Sequence, residues 1–424
     1  MGQGPKVTAP MSSSPSQARY RRPPRPGLVP RYSAGRHWSP EARRALVASL
    51  RSGPPGSAGS ALAEAVGRCD PGELVDLAVS EGIAGPALEG LGHLLPPPER
   101  CRLAAAARQE ALRHLTNLGL LQRCATALEA AGLTWAVLKG PVLAELCYGR
   151  AVRGYTDLDL MVAPSQLEHA VRALETVGAS LAEPDWTSLV ADAMGQLSMV
   201  VNGAGVVDLH WHLVYLRSAR ESWRIPTDEL LERRRPLRLG PVNAWALGQV
   251  DFAAHIALHA SFAGAQQLRR MLDIDRTLAA QPPDWDALVE RCRAWRVGLP
   301  VGVMLNRTRA ILGAPVPEEA LRRLAGGRLE GLIIRQLSAW VPSGHLPGGR
   351  SVNNGLIRSL RDGFFPTTTQ FTAESWHAIS NLVHPARARL PGAGDVAPDH
   401  EGREAFTRYV QMVASADRYG HGAK

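Results

Sequence analysis

The sequence predicts an α+β fold (mixed α/β): a small mixed sheet flanked by helices, with additional helical regions before and after it. Three observations carry this. Between Thr134 and Leu213, short apolar runs alternate with helical stretches and Gly/Pro breaks, the pattern of a mixed α/β layer. Upstream, Pro98–Ala131 keeps apolar residues at three- and four-residue spacing with few breakers. Downstream of Leu247 that helical spacing returns repeatedly. A chain of 424 residues is long enough for two domains and a large core.

From the N-terminus, residues 1–38 are rich in Pro, Arg, Ser and Gly and are expected to be a disordered basic tail. Residues 39–131 form a helical N-terminal region: short helices to about Leu95, then the long Pro98–Ala131 stretch with Gly132 as a C-cap. Residues 132–245 are the α/β core. Thr134–Leu138 is a buried strand, and Lys139-Gly140-Pro141 is a turn whose proline suits the first position of a helix over Val142–Cys147. Asp157–Val162 is a second strand, and Pro164 to about Thr176 an amphipathic helix with Ser165 placed to cap it. Gln196–Val201 and Val206–Leu213 form a hairpin turning at Asn202-Gly203-Ala204-Gly205. Residues 246–390 are a helical C-terminal domain, with helices at 249–262, 266–280, 285–295, 301–312 and 318–325. Residues 391–424 are a tail with room for a short helix.

Charge and cysteines exclude several classes. Seven of the nine net positive charges belong to residues 1–40, which hold no acidic residue, so the rest carries only +2. A basic domain surface for nucleic acid is not indicated; contact through the basic tail is the weaker reading. The five cysteines are scattered, with no CxxC pair, so reduced thiols are expected and neither a disulfide framework nor a zinc ribbon. No apolar run nears the ~18 residues of a membrane span, and no secretory signal opens the chain. A cytoplasmic protein is expected.

The chemistry concentrates in three aspartates. Alternation on a strand sends Asp157 and Asp159 to one face while Leu158 and Leu160 enter the core. Two carboxylates roughly 7 Å apart on one face repel unless a cation lies between them. In Val206–His212 the same alternation aligns Asp208, His210 and His212. If that strand lies beside Asp157–Val162, three carboxylates converge, the oxygen set that holds two magnesium ions for phosphoryl transfer. Gly140 allows a phosphate to approach the Lys139-Gly140-Pro141 turn, and Lys139 or Arg153 could pair with it. Lys139 reads equally as a surface lysine, and Arg153 as half of a structural pair with an aspartate. His210-x-His212 could bind zinc or hydrogen-bond beside the carboxylates. His255 and His259 share a helical face, lining a cleft or packed in the core. Asp273 and Asp275 read as solvated or capping residues.

At these residues the chain resembles the uncharacterised nucleotidyltransferases of the DNA polymerase beta superfamily. Leu138-Lys139-Gly140, Tyr148, Arg153, Asp157–Val162 and Asp208-Leu209-His210-Trp211 carry the likeness. His255, His259, Leu268–Ile274 and Arg358–Pro366 extend it across roughly residues 100–370. The resemblance implies a nucleotidyltransferase-fold sheet and an enzyme moving an NMP from an NTP to an acceptor hydroxyl or phosphate, with release of pyrophosphate. Asp157 and Asp159 would bind both of two Mg²⁺ (or Mn²⁺) ions, and Asp208 the one that activates the acceptor. Lys139, Gly140, Arg153 and His210 would bind the nucleotide. Two departures stand out: Lys139 and a single Gly140 before Pro141 replace the usual Gly-Gly or Gly-Ser, and Gly154 replaces a frequent proline. The acceptor, whether small molecule, peptide, protein or RNA, is left open. So is a non-catalytic nucleotide-sensing or partner-binding role on the same fold, against which the intact acidic trio speaks.

Overall fold

A computed structural model describes residues 38–51, 59–149, 151–182, 186–191, 194–201, 203–262, 267–339, 359–362 and 399–420. The tail over residues 1–37 and the Phe364-Phe365-Pro366 segment lie outside the described residues.

One mixed seven-stranded sheet carries the molecule. Its strands are β1 (Trp135–Val137), β2 (Asp157–Val162), β3 (Ala179–Leu181), β4 (Gln196–Val201), β5 (Gly205–His210), β6 (Arg235–Leu239) and β7 (Val242–Ala246). The order is β3-β4-β5-β2-β1-β7-β6. β2 is central and apolar, with Leu158, Leu160, Met161 and Val162 all buried. It runs parallel to β5 and antiparallel to β1. The hairpin β4–β5 forms as its alternation predicts.

β6 and β7 have no counterpart in the elements read from the sequence. Pro236 interrupts the apolar signal of β6, which is tolerated because β6 is an edge strand. Gly240-Pro241 is the two-residue turn of this hairpin, with Gly240 at φ +54° at the position that demands it.

Helices cover the sheet. α1 (Pro40–Leu50), α2 (Gly59–Gly67), α3 (Pro71–Glu81) and α4 (Ala84–Leu91) lead into α5 (Pro97–Ala130), a 34-residue helix. Gly132, at φ +67°, ends α5 by returning its N–H to Glu129 O, while the Leu133 N–H reaches Leu128 O. A short helix, α6 (Pro141–Leu143), continues as a π turn over Ala144–Tyr148. α7 (Leu167–Glu175) starts from a 3₁₀ turn over Pro164–Gln166, and Ser165 does not cap it. Three short helices come next, α8 (Trp186–Ala191), α9 (Arg217–Ser222) and α10 (Thr227–Glu232). The C-terminal helices are α11 (Gln249–Phe262), α12 (Leu268–Ala280), α13 (Trp285–Ala294), α14 (Gly298–Leu312), α15 (Glu318–Ala325) and α16 (Arg328–Ala339).

The final helix corrects the expectation of a tail. α17 (Asp399–Gly420) is 22 residues long, and it packs against α8 and the turn before α7. Its Tyr409 and Val413 are fully buried. The Tyr409 hydroxyl accepts from Trp211 Nε1 at 2.7 Å and donates to the Met194 carbonyl, so α17 braces the chain just beyond β5. One apolar core runs from Ala42 to Val413, so the regions read from the sequence are not separately cored.

Glu110 of α5 ties α4 to the long helix. Its carboxyl accepts from the Ala84 and Gly85 N–H groups at 3.3 Å each, capping α4, which has no side-chain cap of its own. Burial pushes this carboxyl up to about 7, although the two backbone donors work the other way. The folded state therefore holds the proton more tightly than the unfolded chain. This group's stabilising contribution is fully present below the ordinary carboxylate range near 4.5 and is lost as pH rises towards 7, by about 3 kcal/mol. Glu110→Gln is expected to flatten the fall between pH 4.5 and 7 in urea-unfolding curves; a slope equal to that of the parent would remove Glu110 as its source.

Candidate functional site

Register brings the three aspartates together. β2 and β5 pair in parallel with Asp159 opposite Asp208 and Asp157 opposite Val206. Asp157, Asp159 and Asp208 share one face, and each offers a carboxylate oxygen within 4.8 Å of the others. Asp159 is buried, at 2 % exposure.

The partners of the three differ. Asp159 Oδ1 receives Lys139 Nζ at 2.9 Å and lies 3.0 Å from His210 Nε2. Burial alone would raise the Asp159 carboxyl; the Lys139 ammonium and then His210 override it and hold it well below the usual range. Asp208 accepts from Ser198 Oγ at 2.7 Å and from Gln196 Nε2 at 3.2 Å, both on the neighbouring strand β4. Burial, then the charges of Asp159 and Asp157, push the Asp208 carboxyl up. Among the described residues, neither Asp157 nor Asp208 forms an ion pair. Three carboxylates thus face one ammonium, a hard-oxygen donor set short of positive charge, and this fits a divalent cation.

The Lys139-Gly140 turn enters the site from β1. The Leu138 N–H donates to the Asp159 carbonyl at 3.1 Å, which sets Lys139 beside the Asp159 side chain. Gly140 has φ +53°, and a Cβ there would meet the Tyr155 ring at 3.1 Å. Backbone conformation and the packed aromatic ring therefore both require glycine at this position. Tyr155 is fixed in turn by His114, whose Nδ1 lies 2.8 Å from its hydroxyl and whose Nε2 lies 2.8 Å from Glu145 Oε1.

Arg153 takes the second of its two readings, and Asp273, Asp275 and His212 sit differently from the expectation. Arg153, at 6 % exposure, gives its fork to Asp273, Nε to Oδ1 at 2.7 Å and Nη2 to Oδ2 at 2.9 Å. The Tyr148 hydroxyl adds a third bond to Asp273 Oδ1 at 2.8 Å. Arg153 is therefore held in a buried clamp between the loop before β2 and α12 rather than free for a phosphate, and Asp273, read as solvated or capping, is its anchor. Asp275 is likewise buried. His212 lies beyond the end of β5, where its Nδ1 accepts the Val214 N–H at 2.9 Å, so it does not join His210 as a metal pair.

Across the cleft, α11 and α12 supply what the sequence left open. His255 and His259 stack with ring centroids 5.9 Å apart. His259 Nε2 lies 3.4 Å from Lys139 Nζ, and Arg270 Nη1 lies 3.0 and 3.1 Å from its two ring nitrogens. Burial, then Lys139, lowers His255 to about 3; His259 falls well below its ordinary value for the same reasons, with Arg270 adding to them. The pairing Ser198–Asp208 escaped the sequence reading, although the β4–β5 register, once drawn, sets the two side by side.

Among the described residues, no helix is long and apolar enough to cross a membrane. A family model described as an uncharacterised nucleotidyltransferase matches residues 68–313. No curated protein matches the chain.

Proposed function

The chain belongs to that family of uncharacterised nucleotidyltransferases, and from this premise we propose a metal-dependent enzyme that transfers an NMP from an NTP to an acceptor hydroxyl or phosphate, releasing pyrophosphate. The observation that carries the reading is the parallel register of β2 and β5, which gathers Asp157, Asp159 and Asp208 within 4.8 Å.

In this reading the three aspartates hold two Mg²⁺ or Mn²⁺ ions. Bound there, the ions would neutralise triphosphate charge and lower the pKa of the acceptor hydroxyl. The chain's own groups do the rest. Ser198 and Gln196 fix the rotamer of Asp208, which would hold the acceptor-side ion or take the acceptor's proton. Lys139 and His210 hold Asp159 ionised and oriented. The Lys139-Gly140 turn is proposed to meet the nucleotide phosphates. Arg153 is a positioning residue: with Asp273 it fixes α12 against the loop that leads into the strand carrying Asp157 and Asp159. The partners are an NTP and an acceptor that a small molecule, peptide, protein or RNA could supply.

The test incubates the full chain with each of the four labelled NTPs, Mg²⁺ or Mn²⁺, and a metabolite extract. A nucleotide-modified product with stoichiometric pyrophosphate is expected. NTP binding with no pyrophosphate release under any condition would favour a nucleotide sensor.

A further inference from the structure

We infer that Arg270, with His259 and Lys139, forms an anion subsite that takes a phosphate group beside the aspartate trio. The three side chains come from β1's trailing turn, α11 and α12, and each is partly open to solvent. They form a continuous chain from the acidic site: Asp159 Oδ1 to Lys139 Nζ at 2.9 Å, Lys139 Nζ to His259 Nε2 at 3.4 Å, and His259 to Arg270 Nη1 at 3.0 Å.

Donors outnumber acceptors here. A lysine ammonium and an arginine guanidinium only donate, while a neutral imidazole offers one lone pair. Both cations close on the single ring of His259, so that ring satisfies only one of them. Lys139 has Asp159 as a second acceptor. Arg270 has the Gln267 side-chain oxygen on its Nε at 2.8 Å and, among the described residues, no carboxylate in contact. Its charge therefore lacks a direct counter-ion in a desolvated cleft. His255, stacked on His259 and at 3 % exposure, adds a buried Nε2 with no partner among the described residues. Convergent unspent donors on a half-buried cationic wall call for an external anion, and the arginine fork fits phosphate oxygens.

Such a phosphate could belong to the triphosphate of the NTP or to a phosphorylated acceptor. The subsite rests on the nucleotidyl-transfer reading only for the fate of the bound phosphate; binding itself is tested without metal or turnover. Calorimetry of the full chain in EDTA, with tripolyphosphate and with inorganic phosphate as probes, is expected to show salt-sensitive binding. Arg270→Gln should weaken tripolyphosphate by about tenfold or more, and Arg270→Lys should recover part of that loss. Asp208→Asn should bind tripolyphosphate at least as well as the parent, because it removes a nearby negative charge. Displacement of tripolyphosphate by NTP assigns the subsite to the nucleotide tail. Simultaneous binding of NTP and phosphate assigns it to the acceptor.

A parent chain that binds neither probe would overturn the inference, as would equal binding by Arg270→Gln. A weakened Arg270→Gln variant whose urea-unfolding midpoint also falls well below the parent's would overturn it too, since the loss would then come from disturbed packing. Anion binding that survives while the NTP screen fails would sink the enzyme reading and leave the subsite standing.

Discussion

Asp208→Asn and Asp157→Asn are each expected to lower NTP-dependent pyrophosphate release by on the order of 10²–10³-fold, with no loss of folding stability. The two effects separate because the site concentrates like charge. Asp208 lies in a crowded carboxylate cluster whose burial and neighbours already disfavour its ionised form. Removing that charge relieves repulsion, and the asparagine side chain still accepts from Ser198. The thermal midpoint in EDTA should hold or rise, while the response of the midpoint to added Mn²⁺ should shrink. A variant that keeps release within about tenfold of the parent would place the chemistry elsewhere. A midpoint that drops sharply would mean the carboxylates are structural.

The largest stability effect is expected at Asp273→Ala, at about 3–5 kcal/mol. The substitution strands the buried Arg153 guanidinium and removes the acceptor of the Tyr148 hydroxyl. An uncompensated buried charge costs more than the ion pair itself contributes, so the order of removal matters. Arg153→Met combined with Asp273→Ala should therefore be more stable than Asp273→Ala alone. Urea unfolding of the two single variants and the double variant measures this directly. Additive losses would mean that the two side chains contribute independently and that no clamp exists.

Much of the site could be read from the sequence because its chemistry is local. Asp157 and Asp159 share a strand face by period, and Asp208 comes on a hairpin whose glycines mark the turn. Helices were legible where breakers bracket a 3.6-residue pattern. The long helix ends at Gly132 as its spacing predicts, and Gln249–Phe262 and Glu318–Ala325 have the expected bounds. The features that escaped depend on partners distant in sequence. Asp273 reads as a surface acid until Arg153, 120 residues earlier, is set against it. Edge strand β6 is masked by Arg235, Pro236 and Arg238. The last helix looks polar in isolation, and its anchor Tyr409 gains meaning only against Trp211 and Met194. His212 kept to the period but not to the strand, which stops at His210.

The brace at Tyr409 also bears on how the molecule assembles. Its bond to Trp211 closes a span of 198 residues, and Arg153–Asp273 closes one of 120. Contacts that join distant parts of a chain are entropically slow to form, whereas hairpins and helices zip early. The β4–β5 ribbon and the helices are therefore expected to form before these two contacts, an order that folding kinetics of Tyr409→Phe and Asp273→Ala variants would check.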